Sequence, residues 1–133
     1  MIAMKLRIRL ASVAFCLLST QVLAESPACS PEQVGGGQKV FQAKCSACHT
    51  TEKGAAHMTG PNLNGLFGRQ AGSVAGFNFS PAMKNKGISW DAESFEAFIA
   101  KPQAYVTGTY MPFAGLKESE ARHSLGCYIS KLH

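Results

Sequence analysis

Cys45-Ser46-Ala47-Cys48-His49 sets two thiols and an imidazole within one short stretch. Each thiol can add across a vinyl group of haem, and two intervening residues bring both sulfurs to one side of a porphyrin. The histidine that follows then falls under the iron as its proximal ligand. A thioredoxin-like dithiol would need a βαβ pattern around the Cys-x-x-Cys core, and a zinc site would need a second ligand pair at short spacing. Neither pattern is present in the chain. The segment therefore reads as the attachment site of one covalent haem c, with Cys45 and Cys48 as thioether positions and His49 as an iron ligand.

A haem protein that only moves electrons fills both axial positions, and methionine is the expected second ligand. Met58, Met83 and Met111 are available once the first residues are set aside. Met111 lies in Gly108-Thr109-Tyr110-Met111-Pro112-Phe113, a loop between helices, where Thr109 can hydrogen-bond nearby and Pro112 stiffens the backbone. An isolated methionine is more often core filler than ligand. The haem motif upstream and the loop setting make Met111 the favoured ligand. Met83 falls in a short helix where packing explains it, and His57, His123 and His133 have weaker claims.

Helices must position these groups. Residues 32–44 carry Val34, Gly37, Val40 and Phe41 at helical spacing, which predicts a helix running straight into the haem motif. Ser80-Pro81 followed by Gly87 predicts a short capped helix over 81–86, and Asp91 can cap a helix holding Phe95, Phe98 and Ile99 that ends before Pro102. A last helix over about 118–131 puts Ala121, Leu125, Tyr128, Ile129 and Leu132 on one stripe. No segment alternates as a strand, so the expected fold is all-α. So small a core is marginal alone, and a buried haem would supply apolar contacts.

Residues 1–24 open with Lys5, Arg7 and Arg9, run apolar from Leu10 to Leu18 and finish with Val22-Leu23-Ala24. They read as a cleaved secretory signal peptide, which leaves 25–133 as one domain and implies a periplasmic location. The whole chain carries 13 basic and 8 acidic residues, or +5. Removal of three leader cations lowers this to +2, and no basic run or stacking motif suggests nucleic acid. The apolar leader run is too short for a permanent membrane anchor. Of five cysteines, Cys16 lies in the leader, and Cys29 and Cys127 remain beside the haem pair. They can form a disulfide or stay as separate thiols. Cys127 lies nearly opposite the apolar stripe of the last helix, which favours a bridge or an exposed thiol over simple packing.

The chain resembles the class I cytochrome c family over nearly all of residues 35–132. The likeness rests on Cys45 to Thr50, Thr59-Gly60-Pro61-Asn62-Leu63, Gly65-Leu66-Phe67-Gly68-Arg69, Asn85-Lys86-Gly87-Ile88-Ser89-Trp90 and the Met111 loop. It implies a small fold in which crossed N- and C-terminal helices enclose one covalently bound haem. By the same resemblance, Pro61 offers the carbonyl that orients the proximal imidazole, and Arg69 and Trp90 lie near a buried propionate. Gly37, Phe41, Leu125 and Tyr128 would form the helix crossing.

Some positions depart from the family pattern. Phe79 and Phe98 stand where tyrosines are common and Met83 where an asparagine is, which removes polar groups from the pocket. Gln103, Ala104, Tyr110 and Met58 stand where lysine is common, while Lys44 and Lys117 remain and Glu118 adds the opposite charge. A shallower salt dependence of docking is expected, with Tyr110, the Met111 loop and Phe113 giving a more apolar contact surface. The resemblance implies a soluble, monomeric, non-enzymatic one-electron carrier. Its transient donors would be a membrane quinol-oxidising complex or a periplasmic dehydrogenase, and its acceptors an oxidase, reductase or photosynthetic centre. The competing readings are a haem peroxidase or gas sensor with an open iron position, and a fixed haem subunit of a larger dehydrogenase.

Overall fold

A computed structural model of the chain describes residues 28–133, so the proposed leader over 1–24 lies outside the described residues. Five helices follow in order: α1 (Pro31–Lys44), α2 (Pro81–Lys84), α3 (Ala92–Ala100), α4 (Pro102–Tyr105) and α5 (Ser119–Ile129). Among the described residues, strand-like pairing is limited to one isolated antiparallel bridge between Gln70 and Ser89. The fold is all-α, as the absence of strand alternation implied.

Local chemistry sets the helix starts. Ser30 caps α1 through a hydrogen bond from Gln33 N–H, and Gln33 returns the favour to the Ser30 N–H, with Pro31 at the first position. Ser80 accepts from Met83 N–H at α2. Asp91 and Ser94 form a reciprocal cap at α3, and the Ser94 donors hold the Asp91 carboxyl below its ordinary value. α2 stops at Lys84, earlier than its proline and glycine boundaries suggested. α4 was not anticipated. Pro102 ends α3 because its ring conflicts with a continued helix, but its fixed φ also suits a new first turn.

The dominant helix contact is α1 against α5. A Cβ on Gly37 would run into the Ser124 backbone carbonyl and approach Tyr128 Cβ at 2.8 Å, so the helices meet backbone to backbone there. Phe41 and Tyr128 close the crossing with ring centroids 5.6 Å apart. Leu125 and Ile129 extend the buried α5 face toward Phe95, Phe98 and Ile99 of α3. No helix among the described residues is long and apolar enough to cross a membrane.

Cys29 and Cys127 form a disulfide, with Cα atoms 5.6 Å apart and a sequence separation of 98. The bridge ties the chain just before α1 to α5. By restricting the unfolded chain it is worth about 2–4 kcal/mol. Cys127 is only 2% exposed, so a position off the apolar stripe is buried by its partner rather than left open.

The crossing generates a paired test. Gly37→Ala should lower the stability of the haem-loaded protein by about 1–3 kcal/mol, the usual cost of overpacking. Gly35→Ala, in the same helix but with nothing within 4 Å of its added methyl, should raise it by roughly 0.5–1 kcal/mol through helix propensity. Denaturant midpoints of the two variants measure both signs.

Candidate functional site

The haem motif is wound into turns at the end of α1. Cys45 N–H and Ser46 N–H both donate to the Phe41 carbonyl, and Cys48 N–H and His49 N–H both donate to the Cys45 carbonyl. Ser46 Oγ donates to the Gln42 carbonyl at 2.7 Å. These bonds carry the helix register of α1 directly into His49. Cys45 and Cys48 are half-buried free thiols. Burial, with the neighbouring Cys48 adding to it, pushes the Cys45 thiol up to about 11.

His49 is held from two sides. Its Nδ1 lies 2.7 Å from the Pro61 carbonyl. A carbonyl can only accept, so Nδ1 carries the proton and Nε2 keeps the lone pair. Burial lowers the His49 pKa, against the Pro61 hydrogen bond that raises it. On the other side Gly60 packs against the ring, where a Cβ would sit 2.6 Å from Nδ1. The need for glycine at position 60 was not anticipated, although Gly60 stands within the quoted Thr59–Leu63 motif.

Asn62 organises the loop beyond Pro61. Its amide donates to the Glu52 and Ala55 carbonyls, at 2.8 and 3.0 Å. Its backbone N–H donates to His57 Nδ1, whose ring then donates from Nε2 to the Ala75 carbonyl. His57 is thus a loop brace. Asn62 is buried at 6% exposure, and sequence type alone gave no sign that it ties this loop together.

The Asn62 and Asn64 carbonyls hold the Arg69 guanidinium, each at 3.1 Å. Desolvation by burial lowers the Arg69 pKa, and a guanidinium has further donors beyond these two bonds. Trp90 is buried and packs on Phe98 with centroids 5.3 Å apart.

The Met111 loop is braced from α4. Met111 N–H donates to Thr109 Oγ1 at 3.3 Å. The Gln103 amide donates to the Thr109 carbonyl at 2.8 Å and reaches the Met111 carbonyl at 3.4 Å. Gln103 had been read only as a missing surface lysine. Because α4 was not foreseen, neither was this support. Lys86 steadies the same helix, with Nζ 2.7 Å from the Tyr105 carbonyl and 4.3 Å over the Tyr105 ring.

The thiols, His49, Pro61, Arg69, Trp90 and the Met111 loop meet at one cavity of about 290 Å³. Cys45, Cys48, His49, Pro61, Arg69, Trp90, Thr109 and Met111 line it, as do Phe79, Phe98 and Met83. Met58 does not line it and is 48% exposed. The donor set suits a large apolar group that is anchored by thiols, ligated by nitrogen or sulfur, and bears negative charge near a guanidinium. Among the described residues, no group of three or more His, Cys, Asp and Glu side chains converges as a metal cage.

A cytochrome c family model matches residues 34–125. The chain is 46% identical over 106 residues to the cytochrome c of Guizotia abyssinica, covering 80% of this chain and 93% of that protein. It is 42% identical over 108 residues to the cytochrome c of Ginkgo biloba, covering 81% and 93%. The cytochrome c of Chlamydomonas reinhardtii is likewise 42% identical over 108 residues, covering 81% and 94%.

These relatives correct the expected periplasmic location. They come from land plants and a green alga, whose cells have no periplasm. Read as an export signal, the stretch over 1–24 specifies no particular compartment. The chain belongs to the cytochrome c family of electron carriers built around one covalently attached haem c.

Proposed function

We propose that Cys45 and Cys48 would hold the haem as thioethers, that His49 Nε2 and Met111 Sδ would ligate its iron, and that the chain carries single electrons without making a bond in any substrate. When bound, the group supplies reversible one-electron chemistry at iron. The reading is carried by one observation: both thiols, an imidazole with its Nδ1 proton committed to Pro61, and the Met111 loop converge on one apolar cavity.

The residues divide the work. Pro61 and Gly60 orient the imidazole and keep its Nε2 lone pair available. Thr109 and Gln103 hold the Met111 backbone, so that its thioether is presented in one position. Arg69 and Trp90 offer positive charge and an indole donor to a buried carboxylate. Phe79, Phe98 and the other apolar side chains exclude water.

Partner exchange would take place through brief contacts at the cavity mouth, where Tyr110 is 64% exposed. A membrane quinol-oxidising complex as donor and a terminal oxidase as acceptor suit such a carrier by family analogy. With Gln103, Ala104, Tyr110 and Met58 all uncharged, long-range attraction contributes less to encounter than it would for a lysine ring.

Optical spectra test the ligand set. Wild type should show the red methionine-to-iron charge-transfer band when oxidised, and Met111→Ala should lose it and become high-spin. A high-spin spectrum in wild type would instead support an open iron position, as would rapid carbon monoxide binding by reduced protein. Gly60→Ala should displace the imidazole from Pro61 and cost roughly 1–3 kcal/mol of stability, seen as a lower thermal midpoint with a weakened low-spin spectrum. Electron-exchange rates with an acidic partner, measured across ionic strength, should fall less steeply than those of a variant carrying Gln103→Lys and Ala104→Lys.

A further inference from the structure

A second group of reactive side chains surrounds the Cys29–Cys127 bridge, outside the haem cavity. His123 lies one turn earlier on α5 and brings Nε2 to 3.8 Å from Cys127 Sγ. Its Nδ1 lies 3.2 Å from Glu96 Oε1 on α3. Glu96 and His123 are both partly open to solvent, with side chains 29% and 38% exposed. The two cysteines differ in exposure. Cys29 is half-buried, whereas Cys127 is only 2% exposed.

We propose that this bridge is a thiol–disulfide exchange site for a protein dithiol, with Cys29 Sγ the sulfur attacked and Cys127 Sγ the leaving group assisted by His123. Access selects Cys29, because an incoming thiolate must approach from solvent. Departure then falls to Cys127, the sulfur that faces an imidazole. The Glu96 carboxylate accepts from Nδ1–H and fixes the ring's direction, so that Nε2 of the protonated ring points its N–H at the sulfur that gains charge. A neighbouring cation makes a thiolate a better leaving group.

The exchange balances in two steps. The dithiol's first thiolate bonds to Cys29 Sγ as the S–S bond breaks, and the electron pair leaves on Cys127 Sγ, which takes the His123 proton. The dithiol's second thiol loses its proton to solvent and attacks its partner in the mixed disulfide, and Cys29 leaves as a thiolate that is protonated. The dithiol is oxidised by two electrons and this chain gains two thiols. The haem iron takes no part. The consequence falls on the fold: the segment before Ser30 is released from α5, and the α1–α5 crossing keeps its apolar contacts without a covalent tie.

The test uses the haem-loaded protein in the ferrous state without oxygen, so that the iron consumes no electrons. Dithiothreitol and a thioredoxin-type dithiol protein serve as reductants, and new thiols are counted by alkylation and mass. Wild type should be reduced under native conditions, and its haem spectrum should persist while its denaturant midpoint falls. His123→Gln should slow reduction by about tenfold, below the usual general-acid range because a thiolate already leaves readily. His123→Lys should recover part of the rate. A merely structural histidine predicts the opposite sign, since its removal would loosen the bridge and speed attack. Equal or faster reduction of His123→Gln overturns the proposal, as does a wild-type bridge that is reduced only at the rate of global unfolding.

Discussion

The close crossing of α1 and α5 governs the rest of the molecule. Gly37 against the Ser124 carbonyl lets the helix backbones approach, and Phe41 with Tyr128 locks the angle at which they do so. α1 passes without a break into Cys45, whose N–H still donates to Phe41. The position of the crossing is therefore also the position of the thiols and of His49. On the other helix, Leu125 and Ile129 line the cavity, so one packing contact sets both the anchor and the apolar wall facing it. Changing volume at Gly37 strains the functional site as directly as it strains the core.

The cavity imposes one environment on unlike groups. Burial raises the Cys45 thiol and lowers both His49 and Arg69. In each case the form that carries charge is the one penalised. Phe79, Phe98 and Met83 on the lining strengthen that effect. Arg69 works against it by keeping a cation at the cavity edge, where its guanidinium is secured by the Asn62 and Asn64 carbonyls. The same loop thus fixes the His49 imidazole through Pro61 and the Arg69 guanidinium through Asn62. A change in the Asn62 network reaches both, which gives a buried amide more influence on the site than its chemistry suggests.

Helix existence was legible wherever a cap and an apolar stripe agreed, as at Ser30 with Phe41 and at Asp91 with Phe95 and Phe98. The thiols, His49 and Met111 were legible for a different reason: their chemistry is visible in residue type and spacing, whereas Arg69 and Trp90 came only from the family resemblance. What escaped was support by residues whose types announce nothing. Gly60 matters through the side chain it lacks, Asn62 through hydrogen bonds to residues up to ten positions away, and Gln103 through a helix of four residues that a proline rule alone would have placed in a loop. The leader misled in another way. Even read as an export signal, its pattern carries no physical mark of the compartment reached.

Gln103 links two properties that the sequence presented separately. An uncharged residue there lowers the positive potential at the cavity rim, and the same amide donates to the Thr109 and Met111 carbonyls. A lysine ammonium could also donate to carbonyls, but it is strongly hydrated and keeps more of its stability in water. The neutral amide gives up less on leaving solvent, so it can hold the Met111 loop more persistently. Loss of long-range attraction and gain of loop rigidity then arise from one side chain. On the carrier reading, rim charge governs how often a partner arrives, whereas a fixed thioether governs how little must rearrange once it has. Residue 103 weights this chain toward the second.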